Sequence, residues 1–302
     1  MTKRGHKTVD TILITGGAGF IGANLIPYLI DKYQKAQIIS IDNYFTGKKE
    51  NHIANERVTY IRGNTQEIVS IWNSYQHPDP QVVFHLGEYS RIAQSFSDFD
   101  QLWEFNLNGT KEVVKFCYEK KAKLVYAGSS SKFGNDGLDE NLSPYAWIKA
   151  KNVEFIKNYS VWYGMDYVIT YFYNVYGPKH IKNGKYATVI GKFEAQFEEN
   201  KHLTVVSPGT QTRDFTHVRD IVRGMVLCYE KGSGDGYELG TGNPISIIDV
   251  AKMFNHKYKI VPERIGEREK GKANIQKVKS LGWEPEMNLK DYILEFTSNY
   301  RK

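Results

Sequence analysis

Short apolar runs alternate with longer amphipathic stretches through the first half of the chain. The runs at 11–15, 37–41, 58–61, 82–84, 124–127 and 167–171 predict strands. A helical pattern near 20–31, 66–75, 99–120 and 145–163 fills the gaps between them. Strand, helix, strand, repeated, predicts an α/β fold with a doubly wound parallel sheet covered on both faces. Asp98 and Asp100 offer an N-cap to the long third helix, and Pro144 sits at the first turn of the fourth, where a missing N–H costs nothing. Trp147, Phe155 and Trp162 fall inside helical patterns and read as core.

Beyond Asn174 the rhythm changes. Loops at 177–184, 207–214 and 232–244 are rich in Gly, Pro, Thr and Asn, and helical patterns recur at 187–199, 218–231, 247–254 and 289–300. No repeat, low-complexity tract or long linker intervenes. The expected organisation is a domain over residues 1–173 and a smaller mixed α/β lobe over 174–302, packed together around a cleft. Some segments of the second part are expected to return to the first sheet.

Composition narrows the class more than the chemistry. The chain has 302 residues, 41% of them hydrophobic and 25% charged, which is ordinary globular usage. Forty Lys+Arg against thirty-four Asp+Glu leave +6, scattered along the chain. That excess does not argue for nucleic acid and suits an anionic small molecule. Two cysteines, Cys117 and Cys228, exclude a disulfide scaffold and a four-cysteine zinc site, and fit a reducing cytoplasm. The polar start, residues 1–10, lacks the apolar core of a signal peptide. Gly16, Gly17, Gly19 and Gly22 interrupt the apolar stretch 11–30, so no membrane span is expected. Eight histidines show no pair at ligand spacing, so no metal is expected, and His85 reads as a packing or hydrogen-bonded residue. Tyrosines outnumber phenylalanines, 21 to 15.

The first strand runs into Gly16-Gly17-Ala18-Gly19-Phe20-Ile21-Gly22. Gly16, Gly19 and Gly22 make a turn that opens a helix, letting backbone approach a pyrophosphate held at the positive helix end. The next strand ends in Asp42, where a carboxylate can take both ribose hydroxyls and repel a 2′-phosphate. This combination points to NAD rather than NADP. Lys48 and Lys49 read as solvated surface. Further along, Tyr145-Ala-Trp-Ile-Lys149 sets a phenol and an ammonium on one helix face. A free tyrosine, with a pKa of about 10, is a poor base at neutral pH, and a nearby cation favours its phenolate. Ahead of them a strand ends in the hydroxyl-rich loop Ser129-Ser130-Ser131-Lys132-Phe133-Gly134. Such a strand end is where an open sheet presents ligand groups.

Taken together, these segments resemble the extended short-chain dehydrogenases/reductases that act on nucleotide sugars. Ile41-Asp-Asn43, Phe84-His-Leu86, Phe105-Asn-Leu-Asn-Gly-Thr110, Ser143-Pro-Tyr145, Asn174-Val-Tyr-Gly-Pro178, Arg213-Asp-Phe-Thr-His217 and Leu281-Gly-Trp-Glu-Pro285 extend the likeness over nearly the whole chain. The resemblance implies a Rossmann domain holding NAD through Gly16, Gly19, Phe20, Ile21, Gly22, Asp42, Asn43, Asn64, Leu86, Tyr145 and Lys149. Asn64 stands where the family usually has aspartate. It implies Tyr145 as base, Lys149 as its activator, Ser129 as the hydroxyl sharing the substrate oxygen, and Ser130 in the substrate loop. Asn174, Arg213 and Arg264 would contact the sugar nucleotide, the arginines facing its diphosphate. A homodimer through the helices at 99–120 and 145–163 is implied as well.

In such enzymes Tyr145 would accept the proton of the sugar 4-hydroxyl while hydride passes from C4 to NAD, giving a 4-keto sugar. A 4-epimerase returns the hydride to the other face. A 4,6-dehydratase uses a base to remove the C5 proton and expels water from C6. Ser131 stands where dehydratases of the family carry an acid or a lysine, which favours the epimerase. Gly87-Glu88-Tyr89-Ser90-Arg91 departs from the family's Ala-Ala-Gln, and Glu88 or Lys132 could be a C5 base. Arg91 could bind a phosphate or a substrate carboxylate, with Glu88 as its partner. Tyr171 replaces a common arginine. A non-catalytic dinucleotide sensor is the alternative of a different class.

Overall fold

Each of the six predicted apolar runs is a strand in the computed structural model, which describes residues 9–133, 139–266 and 268–300. The strands are β1 Thr11–Thr15, β2 Gln37–Asp42, β3 Val58–Arg62, β4 Val82–His85, β5 Lys123–Ser129 and β6 Tyr167–Phe172. The polar start at residues 1–8, Gly134 and Glu267 lie outside the described residues. Short strands pair beyond β6. β7 Val175–Tyr176 runs parallel to β10 Thr216–His217, and β8 Leu203–Val206 parallel to β13 Tyr258–Val261. β9 Thr212–Arg213 is antiparallel to β12 Ile245–Ser246. β11 Gly234–Leu239 returns to the main sheet, whose seven parallel strands run in the order β11-β6-β5-β4-β1-β2-β3.

Hydrophobic burial accounts for the layers. Helices α1 Phe20–Lys32 and α7 Val218–Lys231 share one core with one face of the sheet. On the other face pack α2 Ile68–Ser74, α4 Gly109–Lys120 and α5 Pro144–Tyr163. Because both faces are covered, the central strands β1 and β4 are buried at every position instead of alternating. A separate core joins α6 Val189–Glu198, α8 Ile247–Met253 and α10 Leu289–Tyr300 in the second lobe. The short helix α9 Gln276–Lys279 lies against β11. Among the described residues no helix is long and apolar enough to cross a membrane.

Four expectations need correction. The stretch 232–244, read as loop, contains β11. Gly234, Asp235 and Gly236 obscure its pattern, and the pairing with β6 shifts register between Gly234 and Tyr237. The helix at 99–120 is not uniform: α3 Phe99–Leu102 passes into a π-type turn, Trp103–Asn108, before α4. Asp98 does not cap that helix with its side chain. Its carboxylate instead accepts from the hydroxyls of Tyr89 (3.0 Å) and Tyr186 (2.6 Å) and from Lys185 Nζ (2.9 Å). Trp147 and Trp162 are not core; both face outward on α5, Trp162 being 64% exposed. The expected start of α5 holds, with Pro144 in the first turn and the Ser143 hydroxyl accepting from the Ala146 amide.

Several tyrosines now have a use, because a buried phenol needs a hydrogen-bond partner. Tyr171 donates to Asp235 Oδ1 (2.6 Å) and Tyr173 to Glu238, tying the β6 edge to β11. The phenol at 171 thus serves the sheet. Tyr33 donates to Glu230 and Tyr292 to Glu194.

Burial also sets a pH dependence. His85 and His217 are pushed from 6.5 down to about 4, chiefly by desolvation, and so are neutral in the fold. The unfolded chain takes up their protons below about 6.5, so their contribution is complete above that value and is lost as pH falls towards 4. Urea midpoints should fall over this window, and His85→Gln should flatten the slope. An unchanged slope would exclude His85 as a contributor.

Candidate active site

The carboxyl ends of β1, β4, β5 and β6 face the second lobe across a cleft of about 380 Å³. On one wall β1 breaks into the glycine turn. Gly16 has φ of +77°, and a Cβ there would lie 2.8 Å from the Gly87 amide nitrogen. At Gly22 a Cβ would lie 2.3 Å from the Gly16 carbonyl oxygen. No side chain caps the start of α1, and its first turn carries no acid. Gly19 donates its N–H to the Gly16 carbonyl (3.2 Å), and Phe20, Ile21 and Gly22, the first turn of α1, present helix N–H groups to the cleft, a cradle suited to a pyrophosphate.

Asp42 ends β2 beside this turn. Its Oδ2 accepts from the Ala18 amide (2.9 Å) and its Oδ1 from the Tyr44 amide (2.7 Å). Burial pushes its carboxyl up, and these amides pull the other way. Asn43 Nδ2 donates to Asn64 Oδ1 (3.1 Å), joining the ends of β2 and β3. Asp42, Asn43 and Asn64 do not line the cleft; Leu86 does. The residues present fit a dinucleotide whose phosphates rest on the glycine turn.

The opposite wall carries the proton chemistry. β5 delivers Ser129, and α5 delivers Tyr145 and Lys149 to the same cleft. Ser131 Oγ donates to Ser129 Oγ (2.9 Å), leaving the Ser129 hydroxyl free to donate into the cleft. Ser95 Oγ accepts from the Tyr145 amide (3.3 Å) and so fixes the start of α5. Lys149 Nζ donates to Glu88 and to the Ala127 carbonyl, and lies 4.4 Å above the Tyr126 ring. The π-type turn supplies the support: Asn106 grips the Tyr89 backbone, accepting from its amide (2.6 Å) and donating to its carbonyl (2.9 Å). This fixes the loop that carries Glu88 and Arg91.

The remaining predicted contacts divide. Ser130, Asn174, Glu88 and Arg91 line the cleft. Arg213 does not; it is buried on β9. Arg264 is exposed and also absent from the lining, whereas the buried Arg268, four residues on, lines it and donates to the Ser130 carbonyl (2.7 Å). In Arg264-Ile-Gly-Glu-Arg268 a sequence cannot tell which guanidinium turns inward. Glu88 is not the partner of Arg91: it pairs with Lys149, while Arg91 donates to the carbonyls of Tyr186 and Ser90. Tyr126, Thr110 and Asn152, which surround Glu88, have no role legible in the sequence: Thr110 stands in a stretch that carries the family likeness, but nothing local says that these three side chains meet one carboxylate. His85 bridges Thr15 Oγ1 (2.7 Å) and Thr110 Oγ1 (3.0 Å), the hydrogen-bonded role expected of it.

Comparison with known proteins adds an independent line. The model of the NAD dependent epimerase/dehydratase family matches residues 12–240. A Methanocaldococcus jannaschii protein, provisionally named a UDP-glucose 4-epimerase, is 29% identical over 298 residues, covering 93% of this chain and 95% of the relative. The human dTDP-D-glucose 4,6-dehydratase is 26% identical, with 96% and 90% covered. The UDP-N-acetylglucosamine 4-epimerase of Methanobrevibacter ruminantium, solved with UDP-N-acetylmuramic acid, superposes with a TM-score of 0.85 at 25% identity, covering 97% of this chain and 98% of that one.

Gly22→Ala should weaken NAD binding by about 1–3 kcal/mol, the usual cost of overpacking, because its Cβ must push the Gly16 carbonyl aside. Calorimetric titration with NAD tests this; wild-type affinity would remove the turn from the cofactor site.

Proposed function

This chain belongs to the NAD-dependent epimerase/dehydratase family, and on that footing we propose that it oxidises a nucleotide-diphosphate sugar at C4 and releases the C4 epimer. The observation that carries the reading is the convergence of Ser129, Tyr145 and Lys149 on the cleft that the glycine turn opens. Bound NAD supplies the two-electron acceptor at C4. Gly16, Gly19 and Gly22 seat its phosphates, with Asp42 beside its adenosine ribose. Residues 1–173, with α7 and β11 returning to the sheet, form its domain, and the rest of residues 174–302 mainly hold the nucleotide sugar.

Tyr145 accepts the proton of the 4-hydroxyl and later returns it, so it ends the cycle as it began. Ser129 donates to the same oxygen and holds it as the carbonyl forms. Lys149 supports the phenolate electrostatically. Asn174, Ser130, Arg91 and Arg268 bound the space left for the sugar nucleotide.

Epimerisation is favoured over 4,6-dehydration by what the nearby acids and bases already do. A C5 base needs an available lone pair. Glu88 receives Lys149 on Oε2 and Tyr126, Thr110 and Asn152 on Oε1. Lys132 leans over the Phe133 and Tyr171 rings and does not line the cleft. Ser131 is engaged with Ser129. Dehydration with Glu88 or Lys132 as base is the second reading.

Tyr145→Phe should lower turnover by roughly 10²–10⁴-fold while NAD still binds. A panel of UDP-glucose, UDP-N-acetylglucosamine, UDP-glucuronate and dTDP-glucose with NAD serves as the assay, and an undiminished rate would remove Tyr145 from the reaction. Run in deuterated water, the reaction should yield a product of unchanged mass with C4 inverted. Deuterium at C5 with loss of water would establish the dehydratase, and no turnover on any sugar would favour a dinucleotide sensor.

The same proposal includes a homodimer and a cytoplasmic location. Phe99, Trp103 and Tyr118 are exposed on the helix at 99–120, as are Trp147, Trp162 and Tyr163 on α5. Pairing the two helices with those of a second copy covers this surface. Light scattering should give twice the chain mass for the wild type and a single chain mass for the Trp103→Glu, Trp162→Glu double variant. A monomeric wild type would overturn the dimer. Cys117 and Cys228, both buried free thiols, suit a reducing compartment.

A further inference from the structure

The side chains of Lys149 and Glu88 are 5% and 4% exposed, so this is an ion pair taken almost wholly out of water. Removing two charges from water is costly unless the remaining lone pairs and protons are also met. Here they are. Glu88 Oε1 accepts from Tyr126 (3.0 Å), Thr110 (3.0 Å) and Asn152 (3.1 Å), residues on β5, α4 and α5. Because Thr110 gives its proton to Glu88, His85 Nε2 must donate to Thr110, and His85 Nδ1 must accept from Thr15. One carboxylate orients hydrogen bonds as far as the first strand. Lys149 has three N–H donors, of which Glu88 and the Ala127 carbonyl take two, leaving the third for the cleft.

We propose that Glu88 is a positioning residue for the reaction: it anchors the Lys149 ammonium from beneath and offsets its charge, so that the Tyr145 phenol faces an ion pair instead of a bare cation. The proposal rests on the reading of Tyr145 and Lys149 as the proton-transfer pair. The groups around them are neutral His85 from β4; Tyr89 and Arg91 from the loop after it; Tyr126 from β5, whose phenol burial pushes up; Tyr186 and Asp98, joined to each other; and Arg268 behind Ser130. In this set Glu88 is the negative charge in contact with Lys149. Its loss leaves an uncompensated cation near Tyr145 and eases loss of the phenol proton.

The test compares the wild type with Glu88→Gln, Glu88→Ala and Glu88→Asp. For each, the pH profile of kcat is measured with whichever sugar of the panel turns over. The Tyr145-dependent tyrosinate absorbance is measured without cofactor, as the difference from the matching protein that also carries Tyr145→Phe. In Glu88→Gln the acid limb and the tyrosinate signal should both move to lower pH by about one unit or more. Glu88→Asp, which keeps the charge, should stay near the wild-type pH values whatever it loses in rate. Should the glutamine variant fail to fold against three converging donors, Glu88→Ala, with room for water, is read in the same way. A limb and signal that stay in place, or move to higher pH, would overturn the proposal. If Tyr145→Phe alone retains full turnover, it is the reading of the site that fails. If Tyr145→Phe is inactive and the Glu88 variants do not shift, the positioning role fails alone.

Discussion

A carboxylate and an ammonium buried together at the carboxyl edge of a sheet set the terms for the residues around them. Left unpaired, either charge would cost several kcal/mol. The structure meets the demand with side chains from four elements: Glu88 beyond β4, Tyr126 on β5, Thr110 on α4, and Asn152 and Lys149 on α5. Thr110 cannot be replaced by a purely apolar residue without taking the partner of His85 Nε2, nor Lys149 without leaving a buried carboxylate without its cation. The consequence is mechanical as well as electrostatic. The helix bearing the proposed base is tied to the strand ends facing the cofactor cradle, so the two walls of the cleft are held as one unit.

The glycine turn is the complementary constraint. It works through absence of side chain, because the Gly16 backbone packs against Leu86 and Gly87 at contact distance. Where β1 and β4 come this close, the cleft floor is backbone, and the start of α1 opens directly into it. The second lobe supplies the opposing surface, including Asn174, Phe215 and Arg268. Its own core is separate, yet α7 and β11 return to the main sheet, so the lobes are interleaved along the chain.

Much of the fold was legible because burial leaves a periodic mark. The six central strands and the helices flanking them announce themselves as apolar runs and 3.6-residue patterns. β11 did not, since Gly234, Asp235 and Gly236 mask the inward Tyr237 and Leu239. The surplus of tyrosine was visible, but its use was not. Pairing Tyr171 with Asp235, or Tyr33 with Glu230, is a relation between residues far apart in the chain, and composition holds no record of it.

The site divides along the same line. The sequence by itself determined the glycine turn, the acid ending β2, and the phenol and ammonium one helical turn apart, because each is a short-range relation governed by backbone geometry. The tertiary structure decided what Glu88 does, which arginine faces the cleft, and which aromatic side chains of α5 stay outside the core. Those outcomes depend on which elements meet in space. Glu88 next to Arg91 in sequence suggested a local pair, yet packing brought Lys149 to it from sixty-one positions away. A buried carboxylate takes whichever cation the fold delivers without water between them, and local spacing does not encode that choice.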